Sequence, residues 1–292
     1  MNPRRRLGLA LLSLALAGAL VGLVIFVAGS RSAPPARCAA GMIPLGPRCC
    51  GEGQRLVSGR CEGAPTRCAD GLDALPTGCA APPRTIELPG GTLRIGPGDW
   101  EAQGTIEPFV AEVAPFAIDA YEVTEARYAA CEAAGACASI PRSGEPGRAV
   151  AGVSVAEAER FCAWAKGSLP TVAELAFATA GPLGRRYAWG DTGAVCRRAA
   201  WGLAQGPCGQ GGGGPEIAGS HPHGATPTGI HDLSGNVAEW TRPPDPGSPF
   251  AEARGGSWAD GAASALRSWH RRLVPASARS PEIGFRCVYR AP

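Results

Sequence analysis

Cysteine is the residue with the most evident chemistry in this chain, which contains twelve of them. Six cysteines stand in three equally spaced pairs around ten-residue loops: Cys38 and Cys49, Cys50 and Cys61, Cys68 and Cys79. Each loop has glycine at the fourth position and glycine or proline near its end, so the loops form an internal repeat. The repeat predicts one disulfide within each loop, although six cysteines allow fifteen connectivities. A zinc cluster is the alternative, but the spacing is too wide for zinc knuckles and no histidine is nearby.

The other six cysteines show no repeat. Cys131 and Cys137 frame the short stretch "CEAAGAC", which one bond could close, and Cys196 and Cys208 bracket a second loop. Two cysteines, Cys162 and Cys287, remain and lie far apart in the sequence. Because all twelve can pair, the count predicts no spare thiol for redox chemistry.

The stretch "DLSGNVAEW" combines two carboxylates with a tight turn. Asp232 and Glu239 flank Gly235 and Asn236, and carboxylate and carbonyl oxygens are the ligands that calcium prefers. The alternative is an Asx-type turn that leads into a strand and leaves Glu239 exposed. In either case, Asn236 is a residue that tolerates a left-handed backbone.

Histidine is scarce, since the chain contains only His221, His223, His231 and His270. The "HPHG" stretch is broken by proline, which favours an exposed loop, and an iron-type triad would need another ligand from elsewhere in the chain. Asp260 and His270 could form an acid–base pair, but their spacing does not show that they converge.

The stretch "ARGGSWADGAASALRS" contains Gly255 and Gly256 before Ser257 and Trp258. Two glycines in succession predict a backbone that approaches another part of the protein closely. The stretch carries no cysteine, and no histidine follows before His270. The run of glycines from Gly211 to Gly214 indicates a flexible loop, because the Gly-Lys-Ser/Thr of a phosphate loop does not follow it.

The N-terminus predicts how these residues are placed with respect to a membrane. Three arginines precede an uncharged apolar run from Leu7 to Gly29, which as a helix would be about 34 Å long and could cross a bilayer. A cleavable signal peptide has a shorter apolar region, so we favour an uncleaved anchor, with cleavage as the alternative. The arginines favour a cytoplasmic N-terminus, and everything after about residue 30 is then extracytoplasmic, where disulfides form.

Composition limits the class of protein. The chain has 292 residues, a hydrophobic content of 45% and a net charge of +3, and it contains 42 glycines and 28 prolines. These values predict a real core and a loop-rich fold, either one large domain or a medium domain with accessories. The arginines are scattered along the chain, which argues against a nucleic-acid surface.

Helix and strand signals are concentrated between residues 85 and 181. "TIELPGGTLRIG" alternates as a strand, turns at Gly90 and alternates again. Thr124 is a predicted N-cap, Ser154 and Glu157 form a capping box, and a third helix begins at Pro170 or Thr171. After residue 181 we expect short strands and long loops.

Several segments, in their order along the chain, resemble the formylglycine-generating enzyme, or sulfatase-modifying factor, family. They are "GGTLRIG", "AIDAYEVTEARYAACEAAGAC", "AERFCAWAKGSLPTVAELAFATAG", "RRYAWGD", "GIHDLSGNVAEW", "RGGSW" and "IGFRC". The resemblance implies an α+β domain with a C-type-lectin-like core and little regular secondary structure. The predicted organisation is a basic tip (1–6), a membrane span or signal (7–29), a linker (30–36), a cysteine-rich module (37–80), a linker (81–84) and the family domain (85–292).

The resemblance also implies a set of ligands and bonds. It implies one calcium site made of the Asp232 and Glu239 side chains and the Gly235 and Val237 carbonyls, while a second family site near "VCRRAAWG" lacks its ligands. It implies a disulfide between Cys162 and Cys287.

Members of the family that make formylglycine hold Cu(I) with two cysteines after the "RGGS" turn, because soft thiolates suit that ion. The matching positions here are Asp260 and Ala265, so the resemblance implies no copper and no oxidase chemistry.

The sequence therefore predicts an anchored, extracytoplasmic binding or accessory module of the bacterial-type cell envelope. Its partner would be a peptide, a glycan or an envelope protein, bound in a groove made of Arg254, Ser257, Trp258 and Asp260. The alternatives are an oxidase or other protein-modifying metalloenzyme of the same family, and a structural protein of an envelope assembly. Copper uptake and oxidation of peptide cysteine separate the first alternative from the binding module.

Overall fold

Hydroxyl-bearing residues start all three α-helices of the described part of the protein. The computed structural model describes residues 38–96, 108–209, 212–245 and 247–290. The helices are α1 (Glu125–Ala133), α2 (Val155–Trp164) and α3 (Val172–Ala180). Thr124 caps α1, and reciprocal capping boxes start α2 and α3. The helix starts predicted from Thr124, Ser154 and Thr171 are therefore confirmed, because each cap satisfies backbone N–H groups that have no partner inside the helix.

The cysteine-rich module consists of three hairpins, one for each predicted repeat. Their strands are β1 (Met42–Leu45) with β2 (Arg48–Gly51), β3 (Arg55–Val57) with β4 (Arg60–Glu62), and β5 (Asp73–Leu75) with β6 (Gly78–Ala80). Disulfides join Cys38 to Cys49, Cys50 to Cys61 and Cys68 to Cys79. The predicted connectivity within each repeat is confirmed, and each bond holds a hairpin that is too short to be stable alone.

The rest of the protein contains small sheets of mixed connectivity. The strands β7 (Thr85–Leu88), β10 (Phe116–Asp119) and β15 (Val288–Tyr289) form an antiparallel sheet with β10 at its centre, and β8 (Gly91–Ile95) pairs with β9 (Phe109–Val113). A four-stranded sheet has the order β13 (Arg271–Pro275), β12 (Phe250–Arg254), β11 (Ala238–Trp240) and β14 (Ile283–Gly284). The predicted strands on either side of Gly90 exist, but they join different sheets.

Apolar side chains between α1, α2 and the four-stranded sheet form one core, which contains Tyr128, Phe161, Trp240 and Phe285. A second core surrounds α3 and the strands β8 and β10. The bond between Cys162 of α2 and Cys287, which the family resemblance implied, lies in the first core and joins the helix to the end of the chain.

The remaining cysteines also pair. Cys131 is bonded to Cys137 and Cys196 to Cys208, and no cysteine is free in the described structure. The cysteine-rich module and the family domain were predicted as separate segments, but they belong to one compact unit, Ala36–Pro292.

The carboxylate of Glu145 connects the cysteine-rich module to the family domain. It accepts hydrogen bonds from Arg48 (2.9 Å) and from the backbone N–H of Cys61 (2.7 Å), and it also lies 2.9 Å from Arg148. Close backbone contact adds to this connection, since a Cβ at Gly147 would lie 2.0 Å from the carbonyl oxygen of Cys79. The module is thus packed on the domain.

The predicted membrane span, residues 7–29, lies outside the described residues. Within the described residues, no helix has the length and apolar character needed to cross a bilayer.

Candidate functional site

The "RGGSW" turn follows β12 and brings its backbone against two other segments. Gly255 and Gly256 have φ angles of 96° and 70°, which a side chain strongly disfavours. A Cβ at Gly255 would lie 2.9 Å from the carbonyl oxygen of Leu233, and one at Gly256 would lie 2.7 Å from that of Ala265. The close backbone approach predicted from the two glycines is confirmed.

Asp260 forms hydrogen bonds inside this turn. Its Oδ2 accepts from the backbone N–H of Ser257 (2.7 Å) and from the Ser257 hydroxyl (2.9 Å). Arg272 lies 3.6 Å from the same carboxylate oxygen and donates to Glu282 at 2.8 Å. The Asp260 side chain therefore stabilises the turn by accepting from the residue three positions earlier, as the acidic residue of a capping box does.

The second position of the family's copper site carries no ligand. Ala265 is buried in a 3₁₀ turn, Ala263–Leu266. A methyl group cannot coordinate a metal, and a carboxylate held by Ser257 and Arg272 is a poor ligand for a soft ion. The two positions therefore do not form a thiolate pair or a substitute for one.

The four residues predicted to line a groove do not share one open surface. Arg254 is 8% exposed and Ser257 is fully buried, and the Arg254 guanidinium binds Glu252 and the carbonyl of Ser268. Trp258 and Asp260 are partly exposed. The family resemblance placed all four in the groove of the enzymatic relatives, whereas here the turn directs Arg254 and Ser257 into the protein.

The "DLSGN" turn contains three residues with left-handed backbone in close succession. Asp232, Gly235 and Asn236 have φ angles of 58°, 109° and 58°, which confirms the left-handed conformation expected for Asn236. The Asn236 side chain accepts from the backbone N–H of Glu216 (2.8 Å) and donates to Glu122 (2.6 Å). Asparagine thus supplies both the backbone conformation and a polar bridge between the Glu216 backbone and the buried carboxylate of Glu122.

Glu239 is buried, which excludes the alternative in which it is exposed. Arg286, with no exposed surface, donates to Glu239 from Nε (2.7 Å) and Nη2 (2.6 Å). Arg286 also donates to the carbonyl oxygens of Asp119 and His231. Burial raises the pKa of Glu239, and the Arg286 charge opposes that rise.

Glu122 is a third buried carboxylate beside Asp232 and Glu239, and sequence reasoning missed it. Burial raises the pKa of Glu122 well above its ordinary value, and the charges of Asp232 and Glu239 raise it further. Arg286 is the cation that lowers it. The position of Glu122 just before the Thr124 helix cap could have drawn attention to it, but its partners lie more than a hundred residues away.

The donor set around the "DLSGN" turn bears on the calcium site that the family resemblance implied. It offers hard oxygens, the ligands that calcium prefers. Its three buried carboxylates, Asp232, Glu239 and Glu122, lie near one guanidinium, that of Arg286, so a divalent cation would reduce an excess of negative charge. Asp232 accepts from the backbone N–H of Gly219 through one oxygen, and Glu239 is shared with Arg286. Within the described ranges, no three Asp, Glu, His or Cys side chains surround one metal position, so the Gly235 and Val237 carbonyls would have to complete the site.

The histidines do not form one cluster in the described structure. His221 is buried, and its Nε2 lies 2.7 Å from the Glu216 carboxylate. The prediction of an exposed loop is therefore wrong for His221, whereas His223 is exposed as predicted. Burial lowers the pKa of His221, but the Glu216 carboxylate outweighs burial and raises it overall. Proline at 222 begins a 3₁₀ turn, Pro222–Gly224, directly after His221.

The predicted acid–base pair also lacks a contact. His270 and Asp260 are not joined by a hydrogen bond among the described residues, and burial lowers the pKa of His270 while the charge of Asp260 opposes this. Asp260 is already bound to Ser257, so it does not orient His270 for proton transfer.

These features define the class of protein: an α+β domain of small mixed sheets and few helices, braced by disulfides, with two closely packed glycine-containing turns. Residues 73–291 match the family model of the sulfatase-modifying factor enzyme 1-like domain, also termed FGE-sulfatase. The chain therefore belongs to this family, and the match begins within the third cysteine loop.

Curated relatives include two mammalian proteins. The chain is 35% identical over 153 residues to the inactive Cα-formylglycine-generating enzyme 2 of Mus musculus, and 36% identical over 158 residues to that of Bos taurus. These alignments cover 47% of this chain and 47% and 48% of the relatives, so the chain spans about half the length of the curated relatives it matches.

Solved structures share the fold. The Treponema denticola variable protein 1 superposes with a TM-score of 0.56 at 19% identity, over 71% of this chain and 95% of that protein. PvdO from Pseudomonas aeruginosa superposes with a TM-score of 0.57 at 23% identity, over 72% and 95% of the two chains.

Proposed function

We propose that this protein is a membrane-anchored, extracytoplasmic binding or accessory module that retains the family fold and lacks its oxidase chemistry. The observation that carries the proposal is the pair of positions after the "RGGSW" turn. Asp260 caps Ser257 and Ala265 is a buried methyl group, so no thiolate is available for Cu(I). The mammalian relatives that the chain resembles are themselves named inactive.

The competing function is formylglycine formation or another oxidation of a partner protein. We test it with the full-length chain in detergent, titrated with Cu(I) and then incubated aerobically with a cysteine-bearing peptide. We expect no stoichiometric copper and no aldehyde product. The double variant Asp260→Cys, Ala265→Cys is the matched control, and we expect it to bind Cu(I). Aldehyde formation by the unaltered chain would refute the proposal.

The proposed location depends on the apolar run from Leu7 to Gly29 and on the six disulfides, which require an oxidising compartment. The test is expression of the full chain in a Gram-negative host, followed by membrane fractionation and protease treatment of spheroplasts. We expect the membrane fraction to contain a protein of full mass, and we expect protease treatment of the spheroplasts to digest its C-terminal domain. Recovery of a shorter soluble protein would show that the leader is cleaved.

We also propose one calcium ion at the "DLSGN" turn, bound by the Asp232 and Glu239 side chains and the Gly235 and Val237 carbonyls. The ion would offset the buried negative charge to which Glu122 contributes. Elemental analysis after dialysis against a calcium buffer is expected to give one equivalent, and thermal melting is expected to fall in EGTA. Asp232→Asn should remove both effects, whereas Asp245→Asn, at an exposed position, should change neither. An unaltered melting temperature in EGTA would count against the site.

A further inference from the structure

An open cleft of about 1320 Å³ lies beside the four-stranded sheet, away from the "RGGSW" turn. We name it the β12–β13 cleft. The starts of α2 and α3, the segment after β11 and the strands β12 and β13 contribute to its lining, which includes Val155, Thr171, Arg242, Phe250, Leu273 and Arg279. The four residues predicted to form a groove are all absent from this lining.

The lining of the β12–β13 cleft includes two exposed apolar side chains. Phe250 is 47% exposed and Leu273 is 69% exposed. Phe250 pairs with Pro275 and Glu252 pairs with Leu273 across the two strands, so these four side chains share one face of the sheet. Adjacent exposed apolar groups in a concave surface are typical of a binding site.

Strand β13 also has a free edge. In the described structure it pairs with β12 alone and ends the sheet. Ala276 donates its N–H to Pro249, and because antiparallel partners alternate, the backbone N–H groups of Arg271 and Leu273 point away from β12. An extended peptide could therefore add to this edge as a further strand.

Arginines surround the β12–β13 cleft. The Arg271 and Arg279 side chains are 68% and 59% exposed, and Arg242 forms no ion pair with any residue that the structure describes. The lining includes three arginines and two glutamates, Glu159 and Glu252. Glu252 binds Arg254 as well as Arg271, and Arg279 binds Glu157. With these partners included, four arginines face three glutamates, and the remaining positive charge favours an anionic partner.

We propose that the β12–β13 cleft binds an extended, acidic segment of a partner protein. The segment pairs with the free edge of β13, directs its carboxylates to Arg242, Arg271 and Arg279, and covers Phe250 and Leu273 with its apolar side chains. A glycan fits less well, because Phe250 is the one aromatic residue of the lining. This inference rests on the proposed binding function and specifies its partner class.

The test is fluorescence anisotropy with the full-length chain in detergent and a labelled octapeptide, Glu-Ser-Val-Ser-Glu-Ser-Val-Ser, in which glutamate and valine alternate along one face of a strand. We expect saturable binding that weakens as salt is added. Leu273→Asp should weaken binding about tenfold or more, since it removes apolar contact and adds a like charge. The control variant Leu183→Asp alters a leucine that is 89% exposed and outside the cleft, and it should bind as the unaltered chain does.

Four results would overturn the proposal. One is equal affinity for the octapeptide in which lysine replaces both glutamates, and another is equal binding by the two aspartate variants. A third is preferential binding of a neutral oligosaccharide, and the fourth is self-association that Leu273→Asp abolishes while the acidic peptide does not bind. None of these results alters copper uptake or peptide oxidation, so failure of this inference is distinguishable from failure of the proposed function.

Discussion

Asp260 stabilises the "RGGSW" turn through Ser257, at a position where relatives that make formylglycine have a copper-binding cysteine. The carboxylate accepts two hydrogen bonds from Ser257, and Gly255 and Gly256 provide the left-handed backbone that the turn requires. The residues that shape the backbone match the family pattern, and the two that would hold copper do not. Shape and reactivity are therefore separable at this site.

At the residue scale, we predict that Gly256→Ala destabilises the protein by about 1–3 kcal/mol. The backbone at this position has a φ of 70°, and an added methyl group would lie 2.7 Å from the Ala265 carbonyl oxygen. Gly261→Ala is the control, because nothing lies within 4 Å of a Cβ there, and it should stay within about 0.5 kcal/mol. Denaturant unfolding measures both, and equal losses would contradict the prediction.

At the scale of elements, the capping box of α2 also binds Arg279, which follows β13 in the sequence. Glu157 accepts from the backbone N–H and hydroxyl of Ser154, both at 2.9 Å. Arg279 donates to the same carboxylate at 2.6 and 2.9 Å. The capping box was evident from the sequence, whereas the Arg279 contact was not, because 122 residues separate the partners.

Glu157 also makes helix stability depend on pH. The hydrogen bonds from Arg279 hold its pKa at about 2, below the ordinary 4.5. Because the folded-state pKa is depressed, this stabilisation is present above about pH 4.5 and is lost as the pH falls toward 2.

Glu157→Gln should therefore cost about 1–2 kcal/mol at pH 7 and reduce the dependence of stability on pH between 5 and 2. Urea unfolding across this range measures the effect. Glu159→Gln, at an exposed position of the same helix, is the control and should preserve the dependence. A Glu157→Gln curve parallel to that of the unaltered chain would refute the assignment.

At the scale of the whole molecule, bonds between distant segments hold together a fold with short helices and strands. Cys162 and Cys287 are 125 residues apart in sequence and lie in the main core. Glu145 and the Gly147 backbone join the cysteine-rich module to the domain. The module therefore adds a packed layer to the domain.

We predict that replacing both Cys162 and Cys287 by alanine lowers the free energy of unfolding by about 5 kcal/mol, the loop-entropy estimate for a closure of this length. The control replaces Cys131 and Cys137, which are 6 residues apart, and the same estimate gives about 2 kcal/mol. Guanidinium unfolding of the two double variants measures the difference. A larger loss for the shorter loop would contradict the entropic explanation.

Local signals were sufficient for the features that depend on near neighbours. The repeat spacing predicted three hairpin disulfides, the Ser154 and Glu157 pattern predicted a capped helix, and Asn236 predicted a left-handed turn. Each depends on contacts within about a dozen residues, so the pattern that determines the structure is contiguous in the sequence.

The arrangement of the sites depended on tertiary structure. The sequence by itself determined the family, the helix starts, the hairpin bonds and the absence of thiolates after the "RGGSW" turn. Only the fold decided that Ser257 and Arg254 turn inward, that Glu122 joins Asp232 and Glu239, and that Phe250 and Leu273 meet in a separate cleft. The physical reason is that burial and charge pairing arise between segments far apart in the chain, whereas caps and turns are determined by adjacent residues.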